Sequence, residues 1–278
     1  MTWWAIDVRT PPEGRDELGA WLVARTGQAV EERDDGTLVT FAPDEHAADQ
    51  LIAEIGQTAG GLAPETSRRK IEPVDWSIRW RDGLGSRSFG RLTVTPSWTS
   101  APDDAGGPIV VLDPESAFGS GEHGSTRVAL SLLERLVQPG GLVLDLGSGS
   151  GILAIAAVKL GAARAIGIEN DAEANVVAAR NASRNGVEAT VEFLDGDAGD
   201  LAPLLGPAGL VLSNILRSTN TALLPAIATA LDAGGTAIFS GMEVAEAPLF
   251  LPALESAGFA VVEERTDTGW WGVAARRK

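Results

Sequence analysis

A glycine-rich turn between residues 142 and 160 constrains the fold of this chain more than any other segment. An apolar run leads into three glycines at alternate positions, which are Gly147, Gly149 and Gly151. A helical apolar pattern follows at once and stops at Gly161. This order predicts a strand, a tight turn and a helix, in which the glycines admit a ligand close to the backbone and the helix start offers free N–H groups. A turn that serves only packing is the alternative interpretation.

Two acids beside this turn indicate which ligand it binds. Glu169 ends a second apolar run, 20 residues past Gly149, where an acid can accept hydrogen bonds from ribose hydroxyls. Asp145 precedes the first glycine by two residues, and its carboxylate would repel a pyrophosphate at the helix start. The spacing is G-x-G-x-G rather than the G-x-G-x-x-G of dinucleotide-binding proteins. S-adenosylmethionine carries an ammonium and a sulfonium but no phosphate, so the pattern favours this methyl donor.

The composition argues against several other classes of protein. The 278 residues include 22 Lys and Arg against 38 Asp and Glu, a net charge of −16. A nucleic acid would need a basic surface, so this balance argues against direct nucleic-acid contact and favours a basic partner. The chain has no cysteine and only two histidines, His46 and His123, which argues against a disulfide framework and a metal site.

The hydropathy pattern gives no sign of a membrane segment. No apolar run approaches the roughly 18–20 residues of a membrane span. The first residues lack the basic flank and apolar core of a signal peptide. We therefore expect a cytoplasmic protein without membrane contact and, by default, a monomer.

Three regions follow one another along the chain. Residues 1–60 read as strand, helix, strand, strand and helix, a small α+β (ferredoxin-like) domain, and their 12 acids and 4 arginines give a net charge of −8. Residues 61–106 are punctuated by prolines and predict a connector with a strand pair near Gly90 to Thr95. In residues 107–278 strands and helices alternate, which predicts an α/β domain with a doubly wound, mostly parallel sheet.

The segment 113–126 should reach the same edge of that sheet as the glycine turn. It is a glycine-rich loop that leads into a helix, and it contains Phe118, Gly119, His123 and Thr126. Its hydroxyl and ring groups are candidates for ligand contact. The alternatives are that Ser125 caps the helix and that His123 is a hydrogen-bonded loop residue.

The segment 210–216 ends a strand with Asn214 and Ile215. Methyl transfer to an amine needs a free lone pair in line with the sulfonium methyl group. The Asn214 amide oxygen and a neighbouring backbone carbonyl can accept the N–H groups of the amine and aim that lone pair. The alternative is a turn asparagine at a strand end.

Asp197 follows another strand, in the segment 193–197. An acid at that place can accept a hydrogen bond from the amino group of adenine. A solvated acidic loop is the alternative interpretation.

These motifs, in this order, resemble those of the ribosomal protein L11 methyltransferase family over roughly residues 72–278. The resemblance is carried by the glycine turn from Asp145 to Ala157 and by the following short motifs: Asp75-Trp76, Pro96-Ser97-Trp98, Leu112-Asp113-Pro114, Ala117-Phe118-Gly119, Arg180-Asn181-Ala182, Arg184-Asn185-Gly186 and Asn214-Ile215-Leu216. The glycine turn is typical of S-adenosylmethionine enzymes of this fold in general, and the Phe118-Gly119 loop together with Asn214-Ile215-Leu216 is far more specific. The first 60 residues match the family only in layout.

The resemblance implies a fold, an activity and site residues. The fold is the seven-stranded sheet of class I methyltransferases, and the activity is methyl transfer from S-adenosylmethionine to lysine side chains and the terminal amine of a basic ribosomal protein. The small N-terminal domain would hold that protein. By position, the resemblance assigns cofactor contact to Thr126, Gly147, Glu169 and Asn214, places Asn214 near the target amine, and matches His123 to a loop histidine.

The chain departs from the family pattern at a few positions. Ser120 replaces a threonine, Gly124 replaces a bulkier residue, and Glu169 stands where aspartate is more frequent. The segment 217–220, Arg-Ser-Thr-Asn, replaces small residues and a proline. An arginine beside an amine pocket opposes a lysine substrate, so methylation of another protein or of a small amine stays open. A binding or interaction protein without catalysis is the alternative from a different class.

Overall fold

The computed structural model describes residues 3–26, 30–32, 36–58, 64–70, 84–100, 102 and 106–278. The described residues form two compact units that divide between Arg79 and Trp80. Within these ranges, no helix has both the length and the apolar character needed to cross a membrane.

The N-terminal unit is a four-stranded antiparallel sheet with two helices. Its elements are β1 (Trp4–Arg9), α1 (Pro12–Thr26), β2 (Glu31–Glu32), β3 (Leu38–Ala42), α2 (Glu45–Thr58) and β4 (Glu65–Lys70). The strands lie in the order β2-β3-β1-β4. Ile6 and Val8 of β1 pack with Leu22 of α1 and Ile55 of α2 in a separate apolar core. The predicted small α+β domain is confirmed.

Strand β4 falls in the segment that the sequence predicted as a connector. All six of its residues are polar, so the sequence lacks the apolar alternation that would indicate a strand, although the segment forms an edge of the sheet. Arg68 pairs with Glu45 and Asp49, both at 2.9 Å, and its guanidinium lies 4.6 Å from the centre of the Trp4 ring. The basic cluster at 68–70 therefore contributes to the edge of the N-terminal sheet.

The C-terminal unit begins with a small three-stranded sheet of β5 (Arg87–Phe89), β6 (Leu92–Thr95) and β7 (Ile109–Val111). Its helices are α3 (Gly124–Leu136), α4 (Ile152–Lys159), α5 (Ala172–Arg184), α6 (Ala198–Leu205), α7 (Arg217–Ala230) and α8 (Ala247–Ser256). Its remaining strands are β8 (Leu142–Leu146), β9 (Arg164–Glu169), β10 (Val191–Asp195), β11 (Ala208–Asn214), β12 (Leu231–Glu243), β13 (Phe259–Asp267) and β14 (Trp270–Arg277).

A seven-stranded sheet with the order β10-β9-β8-β11-β12-β14-β13 forms the centre of this unit. Strands β8 to β12 pair in parallel, and β14 runs antiparallel to both of its neighbours. The strand order reverses between β8 and β11, which is where a ligand crevice forms in sheets of this kind. The predicted doubly wound, mostly parallel sheet is confirmed.

The sheet is covered by apolar layers on both faces. Helix α4, with the sequence ILAIAAVK, is buried along most of its length, and it contacts both β8 of the large sheet and β7 of the small one. A helix that is apolar all round requires burial of this kind. The glycine turn is therefore anchored by a helix whose position is fixed by packing on two sheets.

Helix α6 is short and contains Pro203, a residue unfavourable inside helices, so the sequence pattern does not indicate it. Helix α7 begins at Arg217, directly after Leu216. The buried Asn220 amide donates to Ile215 O at 3.0 Å and Ser240 O at 2.9 Å, and its oxygen accepts from Ser213 Oγ at 2.7 Å. These bonds join the carboxyl ends of β11 and β12.

Candidate functional site

A cavity of about 540 Å³ opens at the carboxyl edge of the large sheet, beside the point where the strand order reverses. Its wall is formed by the loop after β7, the glycine turn after β8 and the carboxyl ends of β9, β10, β11 and β12. The first turns of α7 and the start of β14 also contribute to it. Among the predicted site residues, those in the wall are Phe118, His123, Gly147, Gly149, Glu169, Asp197, Asn214 and Ile215.

The glycine turn has no room for larger residues. Gly147, Gly149 and Gly151 have φ angles of 69°, 50° and 79°, which L side chains rarely adopt. A Cβ atom on Gly149 would lie 2.5 Å from the carbonyl oxygen of Phe118, and one on Gly151 would lie 2.6 Å from the Phe193 ring. The turn therefore packs closely against neighbouring segments and leaves its Gly147 and Gly149 backbone on the cavity surface.

Glu169, at the end of β9, is held by backbone N–H groups. Its Oε2 accepts from Gly149 N at 3.0 Å, and its Oε1 accepts from Asn170 N at 2.9 Å and Asp171 N at 3.1 Å. A carboxylate has about four lone-pair sites, so these three bonds fix its orientation and leave acceptor capacity for a ligand hydroxyl.

Asp145 lies behind the glycine turn and outside the cavity wall that the structure describes. Its side chain is buried, and its Oδ2 accepts from Ala154 N of α4 at 3.1 Å. Its Oδ1 finds no hydrogen-bond partner in the described part of the chain. Burial raises the pKa of Asp145 to about 7, and the negative charge of Glu169 acts in the same direction. Asp145, which was predicted from the sequence to lie beside a ligand, thus accepts a hydrogen bond from the first turn of α4.

The loop after β7 closes over the glycine turn. Ser150 N donates to Phe118 O at 2.8 Å, and Ser150 Oγ donates to Gly119 O at 2.6 Å. The buried Asn181 amide donates to Ser150 O at 3.0 Å and to Asp113 O at 3.1 Å. Gly119 thus supports the turn, while the half-exposed Phe118 ring borders the cavity.

Three aromatic rings form one side of the cavity. The His123 ring lies 4.3 Å from the Trp270 ring and 5.3 Å from the Phe118 ring, measured between centroids. Its Nδ1 lies 2.8 Å from Ser125 Oγ. Burial, and secondarily the nearby Arg127 charge, lower the pKa of His123, which favours the neutral imidazole.

Trp270 is one of the wall residues that were not predicted from the sequence, together with Asn170, Leu223 and Gly241. A Cβ atom on Gly124 would collide with its indole ring. Gly124 was the available signal, because a glycine leaves space that a large side chain from elsewhere in the chain can fill.

Asn214 lies in the cavity wall and carries an unpaired acceptor. Its Nδ2 donates to Thr126 Oγ1 at 3.3 Å, which orients the amide. Its Oδ1 is buried and has no hydrogen-bond partner among the described residues. A buried acceptor of this kind costs about 1–3 kcal/mol unless a donor satisfies it, so its place in the wall is evidence for a ligand N–H or O–H group. Thr126 itself is buried behind the wall.

The neighbouring Ile215 carbonyl accepts from Asn220 Nδ2 at 3.0 Å. One of its two lone pairs is therefore in use, and one acceptor site is left for a ligand. Asp197 lies across the cavity, where its Oδ1 accepts from Gly199 N at 2.7 Å at the start of α6. The only Asp, Glu, Lys or Arg residues in the described wall are Glu169 and Asp197, so the cavity suits a cationic ligand.

The whole of residues 16–278 matches the model of the ribosomal protein L11 methyltransferase family. The chain belongs to this family. It is 36% identical to the ribosomal protein L11 methyltransferase of Pelotomaculum thermopropionicum, with all of both chains covered. It is 33% identical to the enzyme of the same name from a Synechococcus strain, covering 99% of this chain and 97% of the relative.

A solved structure supports the same relationship. The ribosomal protein L11 methylase from Lactobacillus delbrueckii subsp. bulgaricus superposes with a TM-score of 0.64 and is 32% identical. The match covers 70% of this chain and 99% of that one. The protein is therefore an S-adenosylmethionine-dependent methyltransferase with a class I fold, which confirms the predicted cofactor and reaction type.

The cavity fits this cofactor. The unsatisfied Asn214 oxygen can accept from an ammonium group, and the acidic wall suits the positive charges of the ammonium and the sulfonium. The glycine turn lets a ligand lie directly against the backbone of Gly147 and Gly149.

Replacement of Gly149 by alanine should weaken S-adenosylmethionine binding about tenfold or more. The new Cβ would displace the Phe118 carbonyl and open the turn. Gly186→Ala is the matched control, because Gly186 has a similar φ of 64° but no atom near its Cβ position. Titration calorimetry of both variants measures the effect, and equal affinities would contradict it.

Replacement of Asp145 by asparagine should change how stability depends on pH. Between about pH 4 and 7 the folded chain keeps a proton on Asp145 that the unfolded chain loses, so its free energy of unfolding falls as pH rises. An asparagine at this position cannot titrate, so the Asp145→Asn variant does not lose this stability as pH rises. The free energy of unfolding of the variant, relative to that of the unaltered chain, should therefore increase by about 2 kcal/mol between about pH 5 and pH 7. Urea unfolding measures the difference. Asp195→Asn, at an exposed acid, is the control and should show no such change.

Proposed function

We propose that this protein transfers methyl groups from S-adenosylmethionine to amino groups of ribosomal protein L11. The unpaired Asn214 oxygen in the cavity wall is the observation that supports amine methylation most directly. The shared name of the relatives supports L11 as the target rather than a small amine or another protein. The net charge of −16 suits a basic protein partner.

The target nitrogen must be neutral before it reacts. A lysine amine has an ordinary pKa of about 10.4, which a nearby positive charge and partial burial both lower. The Asn214 oxygen and the remaining lone pair of the Ile215 carbonyl accept N–H groups of the amine and direct its lone pair. When bound, S-adenosylmethionine supplies an electrophilic methyl group, and its sulfur keeps the two electrons of the C–S bond when the nitrogen accepts that methyl group.

His123 is our candidate for receiving the proton that the amine loses. Its lowered pKa favours the neutral ring, and its Nδ1 is engaged by Ser125. Its Nε2 makes no hydrogen bond in the described part of the chain. A neutral imidazole beside the reacting nitrogen can accept a proton that Asn214 is not basic enough to take.

The remaining wall residues would hold the cofactor. Glu169 would accept the ribose hydroxyls and Asp197 the adenine amino group, while Gly147 and Gly149 give the ligand access to the backbone. Phe118 would cover the ligand. Asp145, Gly119, Gly151 and Thr126 would act from behind the wall, by fixing the turn and the Asn214 amide.

Asn214→Ala should lower turnover of L11 by more than it lowers cofactor affinity. The amide is proposed to orient the attacking nitrogen, an interaction needed chiefly in the transition state. Mass spectrometry of L11 gives the methylation rate, and calorimetry gives the cofactor Kd. Thr126→Ser, which keeps the hydroxyl beside the amide, is the matched control and should retain activity. Equal losses of affinity and turnover would make Asn214 a cofactor ligand alone, and no methylation of L11 by the unaltered chain would refute the function.

The N-terminal unit is proposed to capture the substrate protein. Its first 60 residues carry a net charge of −8, which attracts a basic protein at a distance and loses strength as salt screens it. The cavity, by contrast, is lined by residues of the C-terminal unit.

A chain that begins at Trp80 should therefore retain S-adenosylmethionine binding and lose most methylation of intact L11. Calorimetry and mass spectrometry measure the two properties. Free lysine-containing peptide serves as the control substrate, since its methylation should change less than that of L11. If the shortened chain methylates intact L11 as fast as the full chain, the catalytic unit alone recognises the substrate.

A further inference from the structure

Arg217 is placed where it should oppose a cationic substrate. It is the first residue of α7, and the cavity-wall residues Leu216 and Thr219 lie on either side of it in the sequence. The positive end of the helix dipole lies at this position, so the helix does not stabilise the guanidinium. An arginine beside an amine-accepting cavity would repel a lysine side chain that approaches in its ammonium form.

Glu246 neutralises this arginine. Arg217 Nε donates to Glu246 Oε1 at 3.1 Å, and both side chains are about one-third exposed. Within the described ranges, Arg217 makes no other ion pair. The remaining acid of that turn, Glu243, accepts the backbone N–H of Glu246 and forms no ion pair with Arg217 in the described chain.

The turn that carries Glu246 is itself fixed beside the cavity. The second oxygen of Glu246 accepts from Glu243 N at 3.0 Å. Val244 N donates to Gly269 O at 2.9 Å, next to the wall residue Trp270. The ion pair therefore connects the start of α7, where Thr219 lines the cavity, to the turn after β12, which is bonded beside the wall residue Trp270.

We propose that Glu246 is a specificity-determining residue, which cancels the charge of Arg217 beside the cavity and thereby admits the side chain of a lysine substrate. This inference rests on the proposed function. The two residues act together, because Arg217 without Glu246 would repel the lysine ammonium group of the substrate.

The test is steady-state kinetics with L11 at saturating S-adenosylmethionine. Glu246→Gln keeps an oxygen that can accept from Glu243 N but frees the Arg217 charge. It should raise KM for L11 about threefold at low ionic strength and leave kcat unchanged. The increase should shrink as salt is added. The double variant Arg217→Gln with Glu246→Gln should return KM to its original value.

Glu192→Gln is the matched control, because it frees Arg164 from an exposed pair at 2.5 Å on β9 and β10, away from the cavity wall. It changes the net charge equally and should leave KM unchanged. An unaltered KM in Glu246→Gln, or a double variant as impaired as the single one, would overturn the proposal. If the unaltered chain does not methylate L11, the proposed function fails and the inference fails with it, whereas normal activity with no shift in the variants refutes the inference alone.

Discussion

The left-handed turn after β8 is the constraint on which the rest of the site depends. Because Gly149 has no side chain, the Phe118 carbonyl can lie against it, and the Gly149 N–H can reach Glu169 at the end of the adjacent strand β9. These contacts bring the loop after β7 and the end of β9 to one place. The cavity exists because the backbone itself, rather than side chains, fills the space between these segments.

Buried neutral side chains hold the other segments at this edge. Asn181 joins the loop after β7 to the glycine turn, and Asn220 joins the ends of β11 and β12. Ser240 Oγ donates to Ser125 O at 2.8 Å and so ties β12 to the start of α3. Amides can donate and accept at once, and they satisfy several backbone groups without the desolvation cost of a buried charge. The positions of His123 and Asn214 follow from this network.

Features that depend on a local sequence pattern could be predicted from the sequence. Features that depend on packing between distant parts of the chain could not. Strand β8, the glycine turn and Glu169 were correctly located because apolar runs and alternate glycines are local signals. Strand β4 was missed because its polar residues gain their partners from β1 and from α2. Trp270 was missed because its role depends on space left by Gly124, almost 150 residues earlier in the chain. The roles of the individual wall residues stay predictions, since the geometry places them without assigning each to a ligand atom.

The hydrogen-bond partners of each charged side chain determine which charges face the cavity. Asp145 was inferred from its sequence position to face the ligand, but its backbone bond to Ala154 turns it toward α4, and burial brings its pKa to about 7. The acids left in the wall, Glu169 and Asp197, are oriented by backbone N–H groups, which can stabilise a carboxylate without cancelling its charge as an arginine would. The cavity therefore keeps its negative potential for a cationic ligand, because the nearby cations Arg127 and Arg217 are matched by Asp267 and Glu246 respectively.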